Sequence, residues 1–163
     1  VSGVDPKLIS RAKKGLYGEI ISDEYMRRKG YAQLLPEGRY ARSLEDVPKG
    51  RGLDGVYENP RHLQPPKYTI TETKYREGGR YIDSDGSASD SALSMTKNSG
   101  RQMSSTWIQS NLIREFQGNS QFLLRDIQKE GYISLLMIVD ETGKVVAISK
   151  LNSAGRTIQG IRP

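Results

Sequence analysis

Cysteine is absent from this chain and histidine occurs once. Without a thiol there is no disulfide, no sulfur nucleophile and no cysteine zinc site. A lone histidine, His62 in "NPRHLQPPK", leaves little material for a Ser-His-Asp triad or a multi-histidine zinc centre. No apolar run approaches the roughly 18 residues that cross a bilayer. The amino-terminal residues lack the order of a signal peptide. The chain opens on Val1 rather than Met, as expected of a fragment or processed product. With thiol and histidine chemistry so restricted, hydrolysis would have to rest on carboxylates, lysine and a hard cation.

What is present fits one domain. The 163 residues are 35% hydrophobic and 27% charged, enough for one core and too few for two good ones. Lys and Arg outnumber Asp and Glu by 25 to 19, a net charge of +6. That balance favours polyanionic partners such as nucleic acid.

The patterning predicts an α/β domain with a mixed central sheet flanked by helices. Residues 5–29 read as a helix, with Asp5 as cap, Pro6 at the first helical position, and Leu8, Ala12, Leu16 and Ile20 as its apolar stripe. Short strands are expected at 31–35 and 52–58, separated by a polar connection. A longer strand, "YTITETKY", covers 68–75 and should pair with its predecessor as a hairpin. Gly, Ser and Asp dominate 76–101, which reads as a long loop of the kind that is commonly functional. Helices follow at 104–116 and 120–131, a nearly continuous apolar strand at 132–140, and a last strand at 144–151. Trp107 sits at helical spacing among apolar residues and is expected in the core. The tail from Asn152 is expected to be irregular.

One strand breaks its own rule. Side chains alternate along a strand, so Tyr68, Ile70, Glu72 and Lys74 share a face that begins apolar and ends as an acid beside a base. An isolated E-x-K triplet is most often a surface ion pair of small energetic value. The company it keeps changes the weighting. Asp54 lies in the Gly-flanked "GLDGVY" of the preceding strand, and Glu19 lies in the first helix. Two carboxylates offer the hard oxygens that suit Mg²⁺ or Mn²⁺. A lysine one step along the same face could hold a water or neutralise phosphate charge. Lys67, Arg76, Arg80, Lys97 and Arg101 flank the group in sequence and are candidate phosphate contacts.

A helical Glu, then Asp, then E-x-K on consecutive strands resembles the PD-(D/E)XK nuclease superfamily, with its restriction-endonuclease-like fold. The runs "GLDGVYENP", "PPKYTITETKY" and "MTKNSGRQMSSTWI" are, more narrowly, similar to carboxy-terminal toxin domains of bacterial polymorphic toxins. These belong to contact-dependent growth inhibition, LXG-type and Rhs-type systems. The resemblance spans about Gly18 to Trp107. It implies Asp54 and Glu72 as metal ligands, Lys74 as the catalytic lysine, Glu19 as the helix acid, and Gln102 as a polar residue near the site. Thr73 departs from the Ala often found there. The implied protein is a metal-dependent nuclease toxin, the carboxy-terminal part of a larger exported protein. Mg²⁺ is the favoured ion, with Mn²⁺ or Zn²⁺ as alternatives. It would be delivered from the cell surface or by secretion, act in a target bacterium's cytoplasm, and be neutralised by a cognate immunity protein. DNA is the favoured substrate and tRNA the close alternative. Two other readings stay open on the residues alone: a non-catalytic nucleic-acid-binding module, and a metal-independent RNase with His62 as base.

Overall fold

The computed structural model describes residues Val1–Pro163 and is an α/β domain built on one six-stranded mixed sheet. Helix α1 (Arg11–Arg28) comes first, followed by β1 (Ala32–Gln33), β2 (Gly55–Glu58) and β3 (Tyr68–Tyr75). Helices α2 (Ser105–Glu115) and α3 (Gln121–Glu130) precede β4 (Tyr132–Val139), β5 (Val145–Leu151) and β6 (Thr157–Ile161). The strands lie in the sheet in sequence order, and every neighbouring pair is antiparallel except β3 with β4. A parallel pair cannot be joined by a tight turn. The long loop, α2 and α3 make that crossover. No helix is long and apolar enough to cross a membrane.

The first helix starts later than its sequence suggests. Asp5 caps only a short 3-10 turn at Pro6–Leu8. Ser10 caps α1, its hydroxyl accepting from the Lys13 amide at 3.3 Å. Leu8 and Ala12 are consequently exposed, and the helix buries Leu16, Tyr17, Ile20 and Met26 instead. Ser104 caps α2 as expected, and α3 ends at Gly131 with φ +79°. The tail is not irregular. The Asn152 side chain accepts from the amides of Ala154 and Arg156, closing a turn that sends β6 back along β5. That strand is hidden in the sequence because its residues are mostly exposed and carry no apolar alternation.

Burial on both faces explains the mixed character of the central strands. In β4, Leu136 and Ile138 join the larger apolar cluster with Trp107, Ile108, Leu112 and Phe116 of the α2 region and Ile127 of α3. Leu135, Met137 and Val139 alternate to the other face and pack with Tyr17 and Met26 of α1. Trp107 is 7% exposed and belongs to the core. In β3, Tyr68 and Ile70 anchor in the α2-side cluster, and Tyr75 packs edge-on against Tyr17 of α1, ring centroids 6.0 Å apart.

Candidate active site

The site begins where β2 and β3 part. Their last paired residues are Gly55 and Thr71, yet β3 continues to Tyr75 with β4 still bonded on its other side. The second half of β3 therefore has an open edge toward β2. Asp54, the residue just before β2, covers part of that edge: its Oδ2 accepts the Thr73 amide at 2.8 Å. Glycine at 55 is required by close approach. A Cβ there would lie 2.3 Å from the Tyr57 ring and 2.4 Å from Thr71 Oγ1. Gly18 similarly lets α1 sit against β3, since its Cβ would stand 3.2 Å from the Cβ of Tyr75. That close contact carries the neighbouring Glu19 to the same opening.

Glu72 is 4% exposed and lies at the floor of this opening. Its Oε1 accepts from Gln102 Nε2 at 2.8 Å and stands 3.5 Å from Lys74 Nζ. Its Oε2 is buried and has no hydrogen-bond partner, a costly condition for a charged oxygen. Burial and the charge of Asp54 raise the Glu72 carboxyl well above its ordinary value, Lys74 opposing them. Glu19 is pushed up to about 9 by burial and then by Asp54, with Lys49 and Lys74 pulling the other way. Three carboxyl groups thus crowd one another without enough positive charge nearby to keep them all ionised.

The opening is the head of a cleft of about 1020 Å³. Glu19, Asp54, Glu72, Lys74 and Gln102, which the sequence scatters over 84 positions (19 to 102), all line it. So do Arg11 and Lys14 from α1, Arg76 and Arg80 from the segment after β3, Lys97 from the long loop, and Arg114 from α2. Two of the candidate phosphate contacts lie elsewhere. Lys67 precedes β3 at its far end, pairs with Asp126 at 2.8 Å and stacks over the Tyr68 ring. Arg101 is tied to Asp90 at 3.3 Å and to the Gly155 carbonyl at 3.2 Å. His62 is exposed in the turn Arg61–Leu63, outside the cleft.

The cleft also borders residues that the sequence did not place at a site. Trp107, Asn111 and Arg114 are spaced four and three apart, so one face of α2 borders the site. That spacing was legible. Lys49, which lies behind the cleft lining, was not: it stands in a Pro- and Gly-rich stretch without periodicity, yet its Nζ lies 3.9 Å from Asp54 Oδ1 with the side chain 8% exposed.

The residues fit a divalent cation. The orphaned Oε2 of Glu72 and the raised Glu19 and Glu72 carboxyl groups mark a cluster of three acids against two lysines, and carboxylate oxygens are what Mg²⁺ and Mn²⁺ prefer. No three Asp, Glu, His or Cys side chains stand at ligating spacing. The pair Asp54 and Glu72 could hold such an ion, with Glu19 close enough to perturb Glu72 without completing a three-residue cage. Mg²⁺ commonly uses one or two carboxylates and keeps waters. No protein-family model, curated protein or solved structure gives a significant match to the chain.

Proposed function

We propose that the chain is a metal-dependent nuclease toxin domain with a restriction-endonuclease-like core, hydrolysing phosphodiester bonds in the DNA of a target bacterium. The observation that carries this reading is the buried Asp54–Glu72–Lys74 cluster at the open edge of β3, set in a cleft rich in Arg and Lys. The element order supports it as well. A helix bearing Glu19, an antiparallel pair bearing Asp54 and Glu72-x-Lys74, then helices and a strand parallel to β3, suit the resemblance noted above. Action in the target cytoplasm and neutralisation by a cognate immunity protein belong to the same proposal.

Each residue has a role that its position allows. Asp54 and Glu72 would hold the divalent ion, which supplies Lewis acidity toward a phosphoryl oxygen and a lower pKa for a bound water. Gln102 occupies Oε1 of Glu72 and leaves Oε2 without a protein partner, so that Oε2 would be the oxygen available to a cation. Lys74, 19% exposed, presents its ammonium to the cleft, where it can orient the attacking water or balance charge developing on the phosphate. Glu19 carries a proton near neutral pH and can hold a water by hydrogen bonding. Arg76, Arg80, Lys97 and Arg114 can grip backbone phosphates on either side of the scissile bond.

The test is incubation of the protein with plasmid DNA and with total tRNA in Mg²⁺, Mn²⁺, Zn²⁺ or EDTA, beside Asp54→Ala and Lys74→Ala. Mg²⁺-dependent nicking of DNA, lost in both variants, is the expected result. Cleavage of tRNA alone would replace the substrate. Cleavage that survives EDTA would remove the carboxylate mechanism, and no cleavage at all would remove the enzyme.

A further inference from the structure

Asp54 stands at the end of a long irregular segment, and nothing in strand pairing holds it, since β2 begins one residue later. What does hold it is a buried lysine. Lys49 Nζ donates to the Arg39 carbonyl at 2.8 Å and to the Leu53 carbonyl, and faces Asp54 Oδ1. The Leu53 carbonyl belongs to the same peptide plane as the Asp54 amide. Fixing that plane places the Asp54 Cα and restricts the range over which its side chain, which accepts the Thr73 amide, can swing.

The segment is anchored at its other end too. Arg39 grips Glu115 of α2 with two hydrogen bonds, Nε to Oε2 at 2.9 Å and a terminal nitrogen to Oε1 at 2.7 Å, and also reaches the Arg51 carbonyl at 3.1 Å. The Glu115 side chain is 2% exposed and Arg39 closes over it as a half-buried, forked partner. Gly52 passes directly over it with φ +137°, and a Cβ there would come within 2.6 Å of Glu115 Oε1. Backbone and side chains thus run without a gap from α2 through Arg39 and Lys49 to Asp54.

We propose that Lys49 is a positioning residue that sets Asp54 at the open edge of β3, anchored through Arg39 to Glu115 of α2. The proposal rests on the cation-site reading of Asp54 and Glu72. Its sign separates it from simple electrostatics. Removing a positive charge beside a cation site should by itself strengthen cation binding. Removing the group that aims a ligand weakens it.

The experiment compares the 163-residue wild type with Lys49→Met and Glu115→Gln. Amide exchange is followed by NMR without metal, and Mn²⁺ binding by calorimetry. In Lys49→Met, exchange at Thr73 should speed up by about tenfold or more while β4 and β5 amides stay protected. Mn²⁺ affinity should fall about 10- to 100-fold. Glu115→Gln, which leaves every carboxylate of the site intact, should give the same pattern more weakly. Unchanged Thr73 exchange in Lys49→Met, with equal or tighter Mn²⁺ binding, overturns the proposal. If all amides in Lys49→Met accelerate together, that variant has lost its fold and Glu115→Gln decides: retained Thr73 protection there overturns the proposal. If the wild type takes up no Mn²⁺, the cation site itself is refuted, and the Thr73 comparison still judges Lys49.

Discussion

Glu72 and Lys74 are neighbours on one face of a strand, and their surroundings differ. The acid is sealed at the cleft floor with one oxygen unpartnered, whereas the base keeps access to the cleft. Truncation of the base should therefore spare the fold. Lys74→Ala is expected to lower the cleavage rate by about 100- to 1000-fold, the scale set by losing one preorganised electrostatic group. Its circular dichroism should match the wild type. The acids predict a pH dependence. Glu19 titrates at about 9 when folded against 4.5 ordinarily, and Glu72 is displaced in the same direction. Between those values the folded chain keeps a proton that the unfolded chain has released. The contribution of Glu19 to stability is thus full below about pH 4.5 and is lost as pH rises toward 9, and Glu72 acts in the same direction. The melting midpoint of the metal-free protein should accordingly fall from about pH 5 to about pH 9. Glu19→Gln should flatten that slope, and Mn²⁺ should restore the midpoint at the alkaline end. Mn²⁺ should also bind more tightly as pH rises and release protons as it does so, because the ligands must be deprotonated. Calorimetry in buffers of different ionisation enthalpy checks this.

At the scale of elements, the site depends on how closely α1 and β2 approach β3. Gly55→Ala forces a Cβ into Tyr57 and Thr71. Overpacking of this kind costs about 1–3 kcal/mol. Because Asp54 is the adjacent residue, activity should fall further than stability alone accounts for. Urea unfolding and cleavage assays on the same preparation separate the two effects. Gly18 makes a parallel case: a larger residue there pushes α1 off Tyr75 and draws Glu19 away from the carboxylate pair. The elements themselves were largely legible. Strong periodicity announced α2 and α3, and a continuous apolar run announced β4, because both faces of that strand are buried. The start of α1 and the existence of β6 were not. Asp5 caps only the short turn at Pro6–Leu8 and Ser10 caps the helix, whose buried residues are Leu16, Tyr17, Ile20 and Met26 rather than Leu8 and Ala12. An exposed edge strand such as β6 leaves no apolar trace to read.

On the scale of the whole molecule, charge is segregated. The net charge is +6, and the cleft gathers eight Lys and Arg (Arg11, Lys14, Arg51, Lys74, Arg76, Arg80, Lys97 and Arg114) around its acids. Nucleic-acid binding should therefore weaken steeply with salt. Each phosphate contact removed should lower the slope of log K against log salt by about 0.9 on duplex DNA. Fluorescence anisotropy with a Glu72→Gln protein checks this. Arg80→Ala and Arg114→Ala should each reduce the slope, whereas Lys67→Ala should leave it unchanged, because Lys67 pairs with Asp126 away from the cleft.

The chain's own pattern was enough to determine a mixed α/β sheet, a core tryptophan and an anomalous Glu-x-Lys on a central strand. Those are local properties, written in alternation and helical spacing. Which charges meet was decided only in three dimensions. Lys67 and Arg76 flank the same strand, yet only Arg76 reaches the cleft. Lys49, in a stretch without periodicity, lies beside Asp54 because a sixteen-residue segment (39 to 54) folds back on α2. Long-range electrostatic contacts of that kind have no sequence period, so only the folded chain can bring them together.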